Sequence, residues 1–168
     1  MKKILAFTLI FFSTISSINA QEIKRIFVGN EDAKITIIAF ESLTCSHCAN
    51  FHKDVFPELK KEYLDTGLAK IEFRHFPLDA AAFNASKIIQ CKHDQGMEIL
   101  ESLYSNQQAW IKGNTIEQVN NNLQKFIEKE GFQVNFEKCI NNKKIEEFVL
   151  NDRIEGVKNF KINATPTI

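Results

Sequence analysis

Residues 34–48 read KITIIAFESLTCSHC, in which an apolar run leads, without proline or glycine, into two cysteines separated by two residues. The apolar run is rich in β-branched side chains, as is typical of a strand that is covered on both faces. From Cys48 onward, apolar residues recur at helical spacing instead. The pattern predicts that Cys45 lies where a strand ends and a helix begins.

A cysteine at such a junction faces the unpaired N–H groups and the positive end of the helix dipole. Both favour the thiolate of Cys45 over its thiol, and His47 can add positive charge or a hydrogen bond. A cysteine with a lowered pKa is also a good leaving group, so its disulfide is an oxidant. Cys48, one turn inside the helix, is predicted to be the buried resolving partner of a reactive pair.

Two other interpretations of the cysteine pair are open. A zinc site would need a second pair at short spacing, but Cys91 and Cys139 are isolated and far apart. A purely structural disulfide would close a very short loop, and such loops gain the least stability from a cross-link. The sequence therefore favours the reactive pair, and we expect neither a bound metal nor a cofactor.

The helix after the cysteines is predicted from apolar residues that recur every four positions until Gly67: Phe51, Val55, Leu59 and Tyr63. Pro57 interrupts this helix and should kink it. A second strand at 71–73 follows and is closed by Pro77, which completes a βαβ unit. The earlier segment KRIFVG, residues 24–29, predicts an edge strand.

Residues 79–155 show helical patterns throughout and predict an all-helical region. Asp79 is a candidate N-cap for its first helix, and Thr115 with Gln118 is a capping pattern for a later one. Trp110 is expected in the core of this region. The chain then closes on INATPTI, which has strand character.

The first twenty residues have the layout of a secretory signal peptide: Lys2 and Lys3, a short apolar run, and a small residue at Ala20. The apolar run is too short for a membrane span. We therefore expect an exported protein, in the periplasm of a bacterium. Without Lys2 and Lys3, 19 basic residues remain against 21 acidic ones, a net charge of −2. No basic field is available to bind nucleic acid.

Four segments, in this order along the chain, resemble the DsbA-like thiol:disulfide oxidoreductases: SLTCSHCANFH, FRHFPLD, QCKHDQGMEILESLYSNQQAW and VKNFKINATPTI. The resemblance implies an α/β, thioredoxin-like fold with an inserted all-helical subdomain. It places the thioredoxin-like parts at 21–78 and 156–168, around an insertion at 79–155.

The same resemblance implies roles for individual residues. Cys45 would be the nucleophile, Cys48 the resolving cysteine and His47 a stabiliser of the thiolate. Thr165 and Pro166 match the loop that faces the active site and binds substrate, where the proline is cis. A cis bond there would turn the Thr165 backbone outward, so that an extended substrate can pair with it as an added strand.

The chain departs from the thioredoxin-fold pattern at the position of a buried acid. Many such enzymes carry that acid six residues before the nucleophile, where this chain has Ala39. Glu41 follows on the same strand face and is a candidate proton acceptor for Cys48. Its position at the strand end favours an exposed carboxylate without that role. The remaining histidines are predicted to lie at the surface or on helix flanks: His52, His75 and His93.

Cys91 and Cys139 both fall in the helical insertion, among apolar helix residues. Buried free thiols are one possibility for this pair. In an oxidising compartment, two lone cysteines of one subdomain are expected to pair, and some relatives of the resembled family carry such a bond. We therefore predict a structural disulfide between Cys91 and Cys139.

These features predict an exported enzyme that donates the Cys45–Cys48 disulfide to reduced secreted polypeptides. By resemblance, a quinone-linked membrane partner would reoxidise it, and we expect it to act as a monomer. Two alternatives are a periplasmic disulfide reductase or isomerase, and a thioredoxin-fold binding or chaperone module without catalysis. Thr165 does not decide between them, because reducing and isomerising relatives also carry threonine before the proline.

The end of the sequence carries a further expectation. A thioredoxin fold needs a strand after the cis-proline, a hairpin partner for that strand and a closing helix, whereas this sequence stops two residues past Pro166. We expect the C-terminal strands and helix to be missing and the full protein to continue for roughly 40 to 70 residues, judged from the size of a complete domain. The chain as given is expected to be poorly folded and weakly active.

Overall fold

The computed structural model describes residues 23–168. The signal peptide predicted at residues 1–20 lies outside the described residues. Among those described, no helix combines the length and the apolar character that crossing a membrane requires.

Three strands form one sheet in the order β1, β3, β2: β1 is Ile26–Gly29, β2 is Ile35–Glu41 and β3 is Ala69–His75. Strand β1 runs antiparallel to β3, and β2 runs parallel to β3 with Glu41 opposite His75. The predicted edge strand and βαβ unit are thereby confirmed. On the outer side of β2, Phe40 forms a single bridge with Thr167 near the end of the sequence.

One long helix, α1, covers residues 46–64 and connects β2 to β3. It alternates α-helical turns, Ser46–Asn50 and Phe56–Leu59, with π-helical turns, Phe51–Val55 and Lys60–Leu64. Each π turn closes an i→i+5 hydrogen bond, as between the Phe56 N–H and the Phe51 carbonyl. The predicted interruption at Pro57 thus takes the form of a π turn immediately before it.

These π turns change which residues of α1 are buried. Phe51 and Phe56, five residues apart, are both in the core, whereas Val55 is 51% exposed and Tyr63 is 46% exposed. The predicted four-residue spacing is therefore wrong at Val55 and Tyr63, whereas Leu59 packs against the core as predicted. An i→i+5 turn holds one residue more than an α turn, so it moves the buried face from Val55 to Phe56.

Six further helices and one short 3₁₀ turn follow β3: α2 Ala80–Cys91, the 3₁₀ turn His93–Gln95, α3 Gly96–Ser105, α4 Gln107–Trp110, α5 Ile116–Lys129, α6 Phe136–Ile140 and α7 Lys143–Asn159. Asp79 caps α2 by accepting a hydrogen bond from the Ala82 N–H at 2.8 Å. Thr115 caps α5 in the same way through the Gln118 N–H. A disulfide with an S–S distance of 2.05 Å joins Cys91 of α2 to Cys139 of α6.

The sheet and the helices share one continuous core. Ile71 and Phe73 of β3 belong to the same buried apolar cluster as Leu103 and Trp110 from the helical region. Trp110 is fully buried, as predicted, and its indole N–H donates to the Leu103 carbonyl at 3.0 Å. The helical region is therefore packed onto the βαβ unit through apolar contacts.

Helix α7 is held against the sheet by a buried carboxylate. Asp152 is almost fully buried, forms a close ion pair with Arg25 and accepts a hydrogen bond from the His75 N–H at 3.1 Å. One turn later Gly156 lies so close to the Phe40 ring that an added Cβ would meet it at 2.9 Å. His75 is itself buried, so its predicted surface position is wrong; it ends β3 under α7, and Gln90 of α2 bonds its ring.

Candidate active site

Cys45 lies four positions after Glu41, the last residue of β2, and directly precedes the first turn of α1. Its backbone is extended, with φ −78° and ψ 119°, and its carbonyl accepts a hydrogen bond from the Ala49 N–H. Cys45 is half-buried, whereas Cys48, one turn into the helix, is fully buried. Both cysteines are free thiols in the structure. The predicted junction of strand and helix at Cys45 is therefore confirmed.

The loop at the end of the sequence comes back to this thiol. The peptide bond between Thr165 and Pro166 is cis, and the Cys45 thiol donates to the Thr165 carbonyl with a distance of 3.4 Å. The Thr165 side chain is buried, and its hydroxyl has no hydrogen-bond partner among residues 23–168 while Cys45 is a thiol, so it is available to a Cys45 thiolate. The structure thus brings Thr165 and Pro166 against Cys45, where the sequence predicted them.

The surroundings of Cys45 lower the pKa of its thiol. Burial is the largest single influence and opposes ionisation, but several hydrogen bonds outweigh it. The thiolate is the form that receives them, from the Thr165 hydroxyl, from the N–H and thiol of Cys48, and from the N–H of His47. A half-buried thiolate at a helix start is the chemical form that attacks disulfides and leaves them readily.

Cys48 has the opposite character. Burial raises the pKa of its thiol to about 12, and the negative charge of Glu41 acts in the same direction. Hydrogen bonding by the Ser42 backbone and by Thr165 lowers this pKa without reversing the shift. The reduced site therefore combines one acidic, accessible sulfur with one that retains its proton at neutral pH.

The structure shows one contact of His47 with the site, through its backbone. Its side chain is exposed, and the contact that lowers the Cys45 pKa is the backbone N–H of His47, which any residue except proline could supply. The role of its imidazole in stabilising the thiolate stays a prediction.

Two side chains that support the active-site loop were not identified from the sequence. Gln107, at the start of α4, donates through Nε2 to the carbonyls of Leu43 at 2.8 Å and Cys45 at 3.0 Å. Ser42 accepts the Leu78 N–H through its hydroxyl at 3.2 Å. The sequence held no signal for Gln107, because its partners are backbone atoms more than sixty positions away.

Glu41 and His52 are both in places that the sequence did not predict. Glu41 is only 5% exposed, and its carboxylate lies 2.8 Å from the His52 ring and 3.2 Å from the Tyr104 hydroxyl. The predictions that Glu41 is an exposed carboxylate at the strand end and that His52 lies at the surface are therefore wrong. Packing of α3 over the end of β2 buries both, and no local sequence pattern reports such a tertiary contact.

No group of three or more His, Cys, Asp or Glu side chains in residues 23–168 is arranged to hold a metal ion. The reactive groups that the structure places in the site are the sulfurs of Cys45 and Cys48. A dithiol on a strand–helix junction, facing a cis-proline loop and covered by a helical layer, defines a thioredoxin-fold dithiol protein of the DsbA-like class.

Comparison with known proteins agrees with this class. Residues 21–168 match the thioredoxin family Thioredoxin_4. The crystal structure of alpha-DsbA1 from Wolbachia pipientis is 32% identical and superposes with a TM-score of 0.75 over 84% of this chain and 72% of that one. The chain belongs to the DsbA-like thioredoxin-fold disulfide oxidoreductase family, with a helical insertion in an α/β thioredoxin-like fold.

Further relatives are more distant. BdbD from Bacillus subtilis has the same fold at 23% identity, with a TM-score of 0.69 over 85% of this chain and 79% of that one. A curated Rickettsia bellii protein, whose provisional name is protein-disulfide oxidoreductase, is 28% identical over 144 residues. That match covers 83% of this chain and 54% of the relative, so the chain spans about half the length of that protein.

Proposed function

We propose that this protein carries out thiol–disulfide exchange and donates the Cys45–Cys48 disulfide to reduced, exported polypeptides. The observation that carries the proposal is the contrast between its two sulfurs: the pKa of Cys45 is lowered, while that of Cys48 is raised to about 12. Since stabilising the Cys45 thiolate stabilises the reduced protein, it makes the disulfide form the more strongly oxidising one.

The proposed reaction proceeds through a mixed disulfide. A substrate thiolate attacks the Cys45 sulfur, the Cys45–Cys48 bond breaks, and its electron pair goes to the Cys48 sulfur, which takes up a proton. A second thiolate of the substrate then attacks the substrate sulfur that is bonded to Cys45. This forms the disulfide of the substrate and releases the Cys45 thiolate. The substrate leaves oxidised and the protein is left as a dithiol.

The loop at Thr165 and Pro166 is proposed to bind the substrate. The Thr165 carbonyl lies 3.4 Å from the Cys45 sulfur, so an extended polypeptide that pairs with this backbone would bring its own sulfur close to Cys45. Main-chain pairing carries little sequence preference, which suits an enzyme that acts on many unfolded polypeptides.

The cellular setting is also part of the proposal. The predicted signal peptide supports export to the periplasm, where disulfides persist. The protein would act as a monomer, and a quinone-linked membrane protein would return its dithiol to the disulfide state. An oxidant of this kind is needed, because each donated disulfide leaves Cys45 and Cys48 reduced.

The test is to mix the oxidised protein with a reduced, unfolded, cysteine-containing protein and to follow the loss of substrate thiols. We expect stoichiometric oxidation by the wild type and by His93→Gln, a control outside the site, and none by Cys45→Ala. Oxidation by Cys45→Ala at the wild-type rate would refute the proposal.

A redox equilibrium with glutathione gives the direction of exchange. We expect a reduction potential at the oxidising end of the thioredoxin-like range, at about −180 mV or above. A value near about −270 mV would instead indicate a reductase. A Cys45 pKa at its ordinary value, together with no exchange, would indicate a binding module without catalysis.

A further inference from the structure

Three polar side chains form a buried cluster between the active-site helix α1, the end of β2 and α3. Glu41 ends β2, His52 lies in the first π turn of α1, and Tyr104 comes from α3. A Glu41 carboxylate oxygen accepts from Tyr104 Oη at 3.2 Å and lies 2.8 Å from His52 Nε2. The side chains of Glu41 and His52 are 4% and 5% exposed, so this is a buried ionisable pair.

The hydrogen bonding of this cluster is incomplete. The second carboxylate oxygen of Glu41 and Nδ1 of His52 are buried and have no partner among residues 23–168. Leaving a buried polar atom unpaired is costly, and such atoms in folded proteins call for an explanation. Their free positions are available to a proton that moves through the cluster.

The cluster reaches the sulfur of Cys48. The Tyr104 hydroxyl donates to Glu41, and Tyr104 lies in the same buried cluster as Cys48. Burial, together with Glu41 and Cys48 as neighbours, raises the pKa of Tyr104 well above its ordinary value. The charge of Glu41 acts on Cys48 in turn. Because Cys48 is fully buried, a proton that enters or leaves its sulfur must pass through neighbouring groups.

The other side of the cluster borders a groove between α1 and α3. His52 stacks on the Tyr104 ring with centroids 4.5 Å apart, and both line a groove of about 650 Å³. Lys53, Lys60 and Glu101 also line this groove. The ring of His52 thus stands between the Glu41 carboxylate and a space that is open to water.

We infer that Tyr104, Glu41 and His52 form a proton relay that connects the Cys48 sulfur to the groove between α1 and α3. The inference rests on the proposed exchange at Cys45. When the Cys45–Cys48 bond breaks, the Cys48 sulfur takes up a proton from the Glu41–His52 pair, with the Tyr104 hydroxyl between them, and His52 is reprotonated by water in the groove.

The relay runs in reverse when Cys48 acts as a nucleophile. The Cys48 thiol gives its proton to the pair as its sulfur attacks a mixed disulfide at Cys45, and the departing group takes the electron pair of the broken bond. No oxidant or reductant beyond the two thiol partners is involved. Ala39 occupies the place of the usual buried acid, so Glu41 supplies the carboxylate from a new position on the same strand.

Several charged groups surround the relay. On the groove side these are Lys53, Lys60 and Glu101. On the sheet side Arg74 and His75 line a small enclosed cavity of about 10 Å³ together with Glu41 and Tyr104. The pH profile of Cys48 chemistry therefore reports the whole cluster and not Glu41 alone.

The test measures one step in which Cys48 loses its proton. A mixed disulfide between Cys45 and glutathione is prepared, and the release of glutathione by Cys48 is followed by acid quench between pH 5 and 9. Three variants, Glu41→Gln, His52→Asn and Tyr104→Phe, are compared with a control. The control, Glu58→Gln, removes an exposed carboxylate from α1, the helix that carries His52.

For Glu41→Gln we expect release at neutral pH to slow by roughly a hundredfold, the lower range for a lost general base, and for the other two by at least tenfold. Without an acceptor the rate should rise about tenfold per pH unit, because the Cys48 thiol must then lose its proton to hydroxide. Glu58→Gln should follow the wild type. Rates of Glu41→Gln and His52→Asn within twofold of Glu58→Gln at every pH would overturn the relay.

Two controls separate this result from misfolding and from failure of the proposed function. Alkylation of Cys45 by iodoacetamide does not need the relay, so its rate should be the same in all folded variants. In the wild type, glutathione release should slow in deuterated water, whereas alkylation of Cys45, measured at a pH at which Cys45 is fully ionised, should not. Equal rates of glutathione release in both solvents would also overturn the relay. If no mixed disulfide forms in the wild type, the proposed exchange itself fails.

Discussion

At the scale of single residues, the thiol pKa values of two cysteines three positions apart are shifted in opposite directions. Cys45 is half-buried at a helix start, and its hydrogen bonds lower its pKa; Cys48 is fully buried, and its pKa rises to about 12. The sequence predicted this division, since the position of each cysteine relative to the helix start follows from local patterns. By resemblance it also placed Thr165, 120 positions away, beside Cys45, but it did not predict that the Thr165 side chain favours the thiolate.

The buried polar residues are where prediction from the sequence failed. Glu41, His52 and His75 were all expected at the surface, and all three side chains are buried. Glu41 is bonded by His52 of α1 and by Tyr104 of α3. The ring of His75 is bonded by Gln90 of α2, and its backbone N–H donates to Asp152 of α7. A polar residue beside a strand end gives no local sign of which helix will cover it.

Thr165→Val tests the interaction that lowers the Cys45 pKa. Valine keeps the shape of threonine but cannot donate to the thiolate, and a hydrogen bond to a charged group contributes about 1.5 kcal/mol. We therefore expect the Cys45 pKa to rise by about one unit, measured by the ultraviolet absorbance of the thiolate. Thr167→Val is the control, because its hydroxyl bonds the Ala164 carbonyl instead. An unchanged pKa in Thr165→Val would contradict the assigned role.

His75 should make the stability of the protein depend on pH. Burial lowers the pKa of His75, and the opposing effects of Asp152 and Gln90 do not restore it. The unfolded chain therefore binds a proton near pH 6.5 that the folded chain does not, and stability present above about pH 6.5 is lost as the pH falls.

We expect this loss to approach about 1.4 kcal/mol per pH unit below that value. His75→Gln should reduce the dependence between pH 5 and 6.5, while His93→Gln should retain it. The measurement is urea unfolding at a series of pH values. Parallel curves for His75→Gln and the wild type would show that His75 is not the group responsible.

At the scale of elements, the helix that carries the cysteines is the least regular. Its π turns at Phe51–Val55 and Lys60–Leu64 place Phe56 in the core and leave Val55 outside. The sequence predicted the existence and limits of this helix from its apolar residues, but not its register. A π turn arises from contacts of the folded chain, here next to Pro57, and has no periodic signature of its own.

A matched pair of substitutions in α1 tests this register. Phe56→Ala removes a buried ring that packs against Phe73, and we expect it to lower the free energy of unfolding by about 3–5 kcal/mol. Val55→Ala changes an exposed side chain, so its effect should stay within about 0.5 kcal/mol. Urea unfolding measures both. A larger loss for Val55→Ala than for Phe56→Ala would indicate a regular α-helix through this segment.

The disulfide between α2 and α6 should contribute substantially to stability. Cys91 and Cys139 are 48 positions apart, and closing a loop of this length stabilises the folded state by about 4 kcal/mol in the chain-entropy description. We expect Cys91→Ala combined with Cys139→Ala to lose about 2–4 kcal/mol in urea unfolding. A loss below about 1 kcal/mol would mean that the bond does not constrain the unfolded chain.

At the scale of the whole molecule, the secondary structure elements could be predicted from the sequence, whereas the tertiary contacts between them could not. The βαβ unit, the edge strand and the helical region follow from periodicity and from the positions of Gly67, Pro77 and Asp79. The packing of α3 and α7 on the sheet does not, because it depends on buried pairs such as Arg25 with Asp152. These long-range contacts also create the groove and the buried cluster next to Cys48.

The central claim is that Cys45 is the sulfur that exchanges with substrate and Cys48 its buried partner. The most direct measurement is to incubate each single-cysteine variant with a substrate thiol and glutathione disulfide, and to locate the covalently held substrate by mass spectrometry of peptides. We expect Cys48→Ala to accumulate a mixed disulfide on Cys45, and Cys45→Ala to form none on Cys48. Substrate held on Cys48 in Cys45→Ala, or no mixed disulfide on Cys45 in Cys48→Ala, would contradict the claim.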